Sequence, residues 1–173
     1  PVPVRDQSNW GMLALGWTIY FSFGMVMASL VPLVSILRAE LDLSYTQLGI
    51  ILGAWQLVFM ATAAPAGWLI DRFGPKRILT FGALIIAVSA TMRGFAYDFP
   101  VLLLTVAFFG LGGPITAVGL AKLVADWFTG ASRGFASGVY ITGAAAGIAS
   151  FLRMDPRIGS IEVGYINFSP RLQ

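Results

Sequence analysis

Long apolar stretches alternate with short polar ones along most of the chain. Trp10 to Leu37 carries no charged side chain, and neither does Leu48 to Ile70. Three further apolar runs follow, over about 78–96, 101–124 and 134–152. The polar breaks fall at Arg38–Thr46, Asp71–Arg77, Tyr97–Pro100 and Asp126–Arg133. A helix rises ~1.5 Å per residue and needs ~20 apolar residues to cross ~30 Å of hydrocarbon. Each run therefore predicts a spanning helix. The fold class is all-α, a polytopic membrane protein with about five transmembrane helices at 10–37, 48–70, 78–96, 101–124 and 134–152. A polar segment, 1–9, precedes them and an irregular tail, 153–173, follows.

Local signals refine the runs. The first run is too long and too aromatic for a signal peptide, whose apolar core spans ~7–15 residues. Pro32 predicts a kink near its end. Ser44 followed by Gln47 reads as a capping box opening the second span. That span holds Gly53, Ala61, Ala64 and Gly67, small residues that let helices approach closely in lipid. The fourth holds Gly110, Gly112, Gly113, Pro114 and Gly119, which predicts a closely packed or bent helix. Arg93 is expected to snorkel to the headgroups at the end of the third span. Trp127 and Phe128 read as belt aromatics.

Composition narrows the function classes. Apolar residues make up 57% of the chain and charged ones 11%, against about a quarter charged in soluble domains. The chain has no Cys and no His. Disulfides, thiolate nucleophiles and Cys/His metal sites are thereby excluded, and no cofactor is expected. The net charge of +3 is carried in breaks between spans and forms no nucleic-acid-binding stripe. An enzyme is not expected, for want of a nucleophile–base pair or paired intramembrane carboxylates.

Basic residues in short loops orient a membrane protein. With the N-terminus inside, Arg5, Arg72, Lys76, Arg77, Lys122 and Arg133 lie inside, and Arg38 and Arg93 outside. An inner (plasma) membrane location with a cytoplasmic N-terminus is expected. Arg153, Arg157 and Arg171 of the tail count against that bias. The tail has no spanning run and reads as a truncation or frame-shift product, or as an extramembrane tail. Because the chain opens on Pro1 rather than Met, a preceding segment is expected.

The most charged short connection is Gly67-Trp-Leu-Ile-Asp71-Arg72-Phe-Gly74-Pro75-Lys76-Arg77. Gly67 and Asp71 share one helix face. A carboxylate at a helix C-terminus is disfavoured by the dipole, so Asp71 is expected to face the N-terminus of another helix or pair with Arg72, Lys76 or Arg77. Gly74 and Pro75 together enforce the reversal.

The ordered pattern Gly-xxx-Asp-Arg-x-Gly-x-Lys-Arg between two spans resembles the loop between the second and third helices of the major facilitator superfamily. Gly67, Asp71, Arg72, Gly74 and Lys76 match. Pro75 replaces one basic position, for which Arg77 compensates. The resemblance covers Trp10 to about Ser150 and implies the first five of twelve helices, a partial N-terminal half. It implies that Asp71 latches the cytoplasmic side onto the missing C-terminal half, with Arg72 and Arg77 as supporting charges. The stretch Gly119 to Phe128, then Arg133-Gly134-Phe-Ala136-Ser-Gly138, is similar to members that move small anions such as cyanate or nitrate. Val106 stands where many proton-coupled members carry an arginine, four residues before Gly110-Leu-Gly112. The fifth span lacks the Gly-Pro of drug–proton antiporters. Both departures argue against a drug antiporter.

The implied function is secondary active transport of a small solute by alternating access. The alternative is a non-transporting membrane fragment or assembly module. Candidate pathway residues are Trp17, Tyr20, Phe21, Gln56, Thr116, Tyr140 and Thr142, polar or aromatic groups at bilayer depth. Ordinary helix packing is the competing explanation for each. The expected partners are the bilayer, a small solute and the missing half.

Overall fold

The computed structural model describes residues 6–152. Six helices follow in order: α1 Asp6–Ala28, α2 Val34–Glu40, α3 Tyr45–Phe73, α4 Pro75–Arg93, α5 Phe99–Trp127 and α6 Ala131–Leu152. Among the described residues, four helices are long and apolar enough to cross a bilayer: α1 from Trp10, α3, α4 and α5. The fifth run expected from the sequence, 134–152, falls on the 22-residue helix α6. The readings of 1–5 and of the tail from Arg153 lie outside the described residues.

The first apolar run is not one helix. α1 stops at Ala28, and tight turns follow, with Val31 N donating to Ala28 O at 3.1 Å and Leu33 N to Leu30 O at 3.1 Å. Pro32 has no N–H to continue the ladder, and its ring would collide with the carbonyl of residue 28. The chain resumes as the short α2. Ser44 then caps α3 through the expected box, its Oγ accepting from Gln47 N and the Gln47 Oε1 from Ser44 N. A single residue, Gly74 at φ +84, separates α3 from α4. Asp98 caps α5 by accepting from Val101 N at 2.9 Å.

α5 is the axis of the bundle, with Leu102, Val106, Phe109 and Leu120 at most 1% exposed. α3 and α4 pack along it, and α6 packs along α1. Glycines set the spacing. A Cβ on Gly110 would lie 2.6 Å from the Trp55 carbonyl of α3, and one on Gly112 would lie 3.1 Å from the Gly82 carbonyl of α4. The α1–α6 seam is closer still. A Cβ on Gly143 would lie 2.6 Å from Trp17 O, and one on Gly147 would lie 2.2 Å from Phe21 O. Lipid offers no hydrophobic force between helices, so such backbone contact supplies the packing energy. One buried hydrogen bond joins α4 to α5, from Ser89 Oγ to Thr105 O at 2.8 Å.

This packing brings the start of α1, the α3–α4 turn and the α5–α6 turn to one end, where the Trp10 ring meets Phe128 and Phe135. The end of α1, α2, the start of α3 and the α4–α5 turn gather at the other, around Leu30, Leu43, Leu48 and Leu102. The spans therefore alternate in direction, as a multi-pass integral membrane protein requires.

Candidate functional site

The charged end centres on Asp71. Its carboxylate forms an ion pair with Lys122 Nζ of α5. Asp71 ends one span and Lys122 approaches the end of another, so both reach the same interface. Asp71 opposes the negative end of the α3 dipole, and Lys122 lies just before the last turn of α5. The pair compensates that conflict and ties α3 to α5. The sequence offered Asp71 the N-terminus of another helix or a pair with Arg72, Lys76 or Arg77; the structure pairs it with Lys122 and uses those cations elsewhere. The Arg72 guanidinium lies over the Trp68 ring at 5.2 Å, and Lys76 Nζ over the Trp127 ring at 4.5 Å. Arg77 is exposed. A Cβ at Gly67 would meet nothing within 4 Å, so no described helix uses the close approach that glycine offers. Asp71 keeps 70% of its side chain exposed, which leaves carboxylate lone pairs open to a further donor.

A cavity of about 1270 Å3 lies against α1, α3 and α5. Tyr20, Phe23, Trp55, Gln56 and Phe59 line it, and Gln56 and Thr46 add amide and hydroxyl groups to an otherwise apolar wall. Its back is an aromatic cluster. Phe23 stacks on Phe109 at 5.1 Å, and Trp55 meets Phe109 edge-on at 6.0 Å. A mostly apolar concavity with a few polar groups is the usual geometry of a small-molecule site. Leu57 and Met60 beside Gln56 are over 70% exposed, so no described helix covers this face.

The other candidate pathway residues are dispersed. Tyr140 is buried and packs edge-on against Tyr20 at 5.5 Å. Trp17 donates Nε1–H to Thr142 Oγ1 at 3.1 Å and stacks on Phe21 at 5.3 Å. Tyr140, Trp17, Thr142 and Phe21 all belong to the α1–α6 seam. Thr116 is fully buried, its hydroxyl donating to Gly112 O at 2.8 Å, and it packs beside Gly82 of α4. Of the candidates, the structure brings Tyr20 and Gln56 to the cavity.

Arg93 does not snorkel. Its Nη1 donates to Val26 O at 2.7 Å and Ser29 Oγ at 3.2 Å, and the guanidinium lies 5.1 Å from the Phe109 ring centre. The early stop of α1 explains the turn inward. Carbonyls in a helix's last turn lack intrahelical donors, and a cation at that end satisfies one of them. The missing signal was that α1 ends at Ala28 rather than at Leu37.

Comparison with known proteins places this geometry. The chain is 31% identical over 104 residues to a probable sulfoacetate transporter of Cupriavidus necator, covering 60% of this chain and 24% of the relative. It is 31% identical over 114 residues to a probable L-galactonate transporter of Escherichia coli, covering 65% and 25%. It is 28% identical over 108 residues to the quinolone resistance protein NorA of Staphylococcus aureus, covering 62% and 27%. The chain thus spans about a quarter of the length of these curated relatives. Residues 16–152 match the model of the Major Facilitator Superfamily. With the paired loop aspartate and the four-span core in place, the chain belongs to that superfamily.

Proposed function

We propose that this chain supplies the first helices of a secondary transporter of small organic anions working by alternating access. One observation carries the reading: the α1–α3–α5 cavity, with Tyr20 and Gln56 in its wall, lies on a face that no described helix covers. A second bundle closing that face would enclose a pathway near mid-membrane. Asp71, held by Lys122 but still exposed, is then placed to latch the two bundles at their charged end. That end gathers Arg72, Lys76, Arg77, Lys122 and Arg133, so it faces the cytoplasm of an inner membrane, with the N-terminus inside. The small-anion character first read from Gly119–Gly138 broadens to carboxylates and sulfonates, the chemistry named in two of the relatives.

A second reading has its own support. The cavity wall is almost wholly apolar, which suits a drug-like solute, and one relative is a quinolone resistance protein. Transport separates the two. Cells expressing the protein together with its complementary bundle should accumulate radiolabelled galactonate or sulfoacetate, and an Asp71→Asn variant should slow that uptake. Export of a fluoroquinolone with no anion uptake would overturn the organic-anion reading.

A further inference from the structure

The large cavity contains no charged residue, yet a second cavity nearby contains Arg93 as its one charged residue. This space of about 480 Å3 lies between the end of α1, α2 and the end of α4, with Ser22, Met25, Ser29 and Arg93 in its wall. Its volume falls in the ~300–1,000 Å3 range of small-molecule sites. No carboxylate of the described residues lies within ion-pair distance of Arg93; the ion pair among them is Lys122–Asp71. A guanidinium withdrawn from water without a counter-anion is costly, and neutral acceptors and a ring face offset only part of that cost. Val26 O and Ser29 Oγ occupy Nη1 alone. The Nε is buried with no acceptor.

We propose that the Nε–Nη2 edge of Arg93 binds one carboxylate or sulfonate group of a small organic anion, at the end of the bundle opposite Asp71. That edge is a planar fork matched to two oxygens of such a group, and a charge-assisted pair there satisfies the orphaned donor. Nη1 remains on Val26 O, so the bound anion would also brace the end of α1 against α4. The site rests on the organic-anion reading and assigns the anion a residue.

The test uses the whole chain in phosphatidylcholine nanodiscs. Calorimetry follows titration with sulfoacetate, with L-galactonate and with neutral L-galactose. Both anions should bind and galactose should not. Arg93→Gln should weaken anion binding at least tenfold and Arg93→Lys by less. If Arg93→Gln loses helicity by circular dichroism, Ser22→Leu decides. Ser22 bonds only to Thr18 O of its own helix, so this variant fills the cavity without touching the Arg93 contacts, and it should weaken binding as strongly. Unchanged anion binding in Arg93→Gln and Ser22→Leu overturns the Arg93 site while leaving the organic-anion reading intact. No anion binding by the unmodified chain also overturns the Arg93 site, while the organic-anion reading is decided by uptake with the complementary bundle.

Discussion

Gly147→Ala adds one methyl group to the tightest point of the α1–α6 seam. The new Cβ would lie 2.2 Å from Phe21 O and 2.8 Å from Met25 N. Both are backbone atoms, which cannot rotate away. Restoring ordinary contact at 3.4 Å requires the helices to part by about 1.2 Å. Gly143 against Trp17 and Gly24 against Ala144 would open with them, and the 3.1 Å bond from Trp17 to Thr142 would pass its limit. If roughly thirty atom pairs each lose about half of a ~0.15 kcal/mol well, the seam weakens by about 2 kcal/mol. Alanine's better helix propensity returns up to ~1 kcal/mol. The net expectation is a loss of about 1–2 kcal/mol. Gly138 on the same helix is the control. A Cβ there meets nothing within 4 Å, so Gly138→Ala should gain ~0.5–1 kcal/mol. Titration from mixed micelles into dodecyl sulfate, followed by helical circular dichroism, measures both. Opposite signs are expected; equal shifts of the same sign would refute the close seam.

The remaining expectations follow from single contacts. Ser89→Ala removes the buried α4–α5 hydrogen bond and should cost about 0.6 kcal/mol in the same titration, in line with other bonds between membrane helices; a cost above ~2 kcal/mol would point to repacking instead. A double-mutant cycle of Asp71→Asn and Lys122→Met should give a coupling of about 0.2–1 kcal/mol at low salt, because both side chains are partly exposed. That coupling should vanish near 1 M salt, where the screening length falls to ~3 Å. The chain has no native cysteine, so Arg77→Cys reports orientation directly. It should react with a membrane-impermeant maleimide from the cytoplasmic side alone, and labelling from outside would reverse the proposed topology.

The parts legible in the sequence were those fixed by local chemistry. Apolar run length gave α3, α4 and α5 to within a few residues, because nothing but a helix satisfies its own backbone in lipid. The Ser44–Gln47 box and the Gly74 reversal are contacts between near neighbours, so residue order alone specifies them. What it could not give were contacts between distant residues. Asp71 had three cations within six positions, yet its partner is Lys122, brought close only when α3 and α5 pack together. Thr116 looked like a pathway residue by depth, but depth does not say which face of a helix turns to a cavity. Pro32 marked a kink in the first run, but not that the helix would stop at Ala28, which is the reason Arg93 turns inward.

Gln56→Cys in the otherwise cysteine-free chain tests the pathway most directly. The residue lies in the wall of the α1–α3–α5 cavity, while Phe81 on α4 is exposed on another face. Reconstituted with its complementary bundle in vesicles, the Gln56→Cys protein should react with a charged methanethiosulfonate, and L-galactonate should slow that reaction. The Phe81→Cys protein should be inert, because lipid excludes the charged reagent. If Gln56→Cys is as unreactive as Phe81→Cys, this face looks onto lipid, and the transport pathway does not run along it.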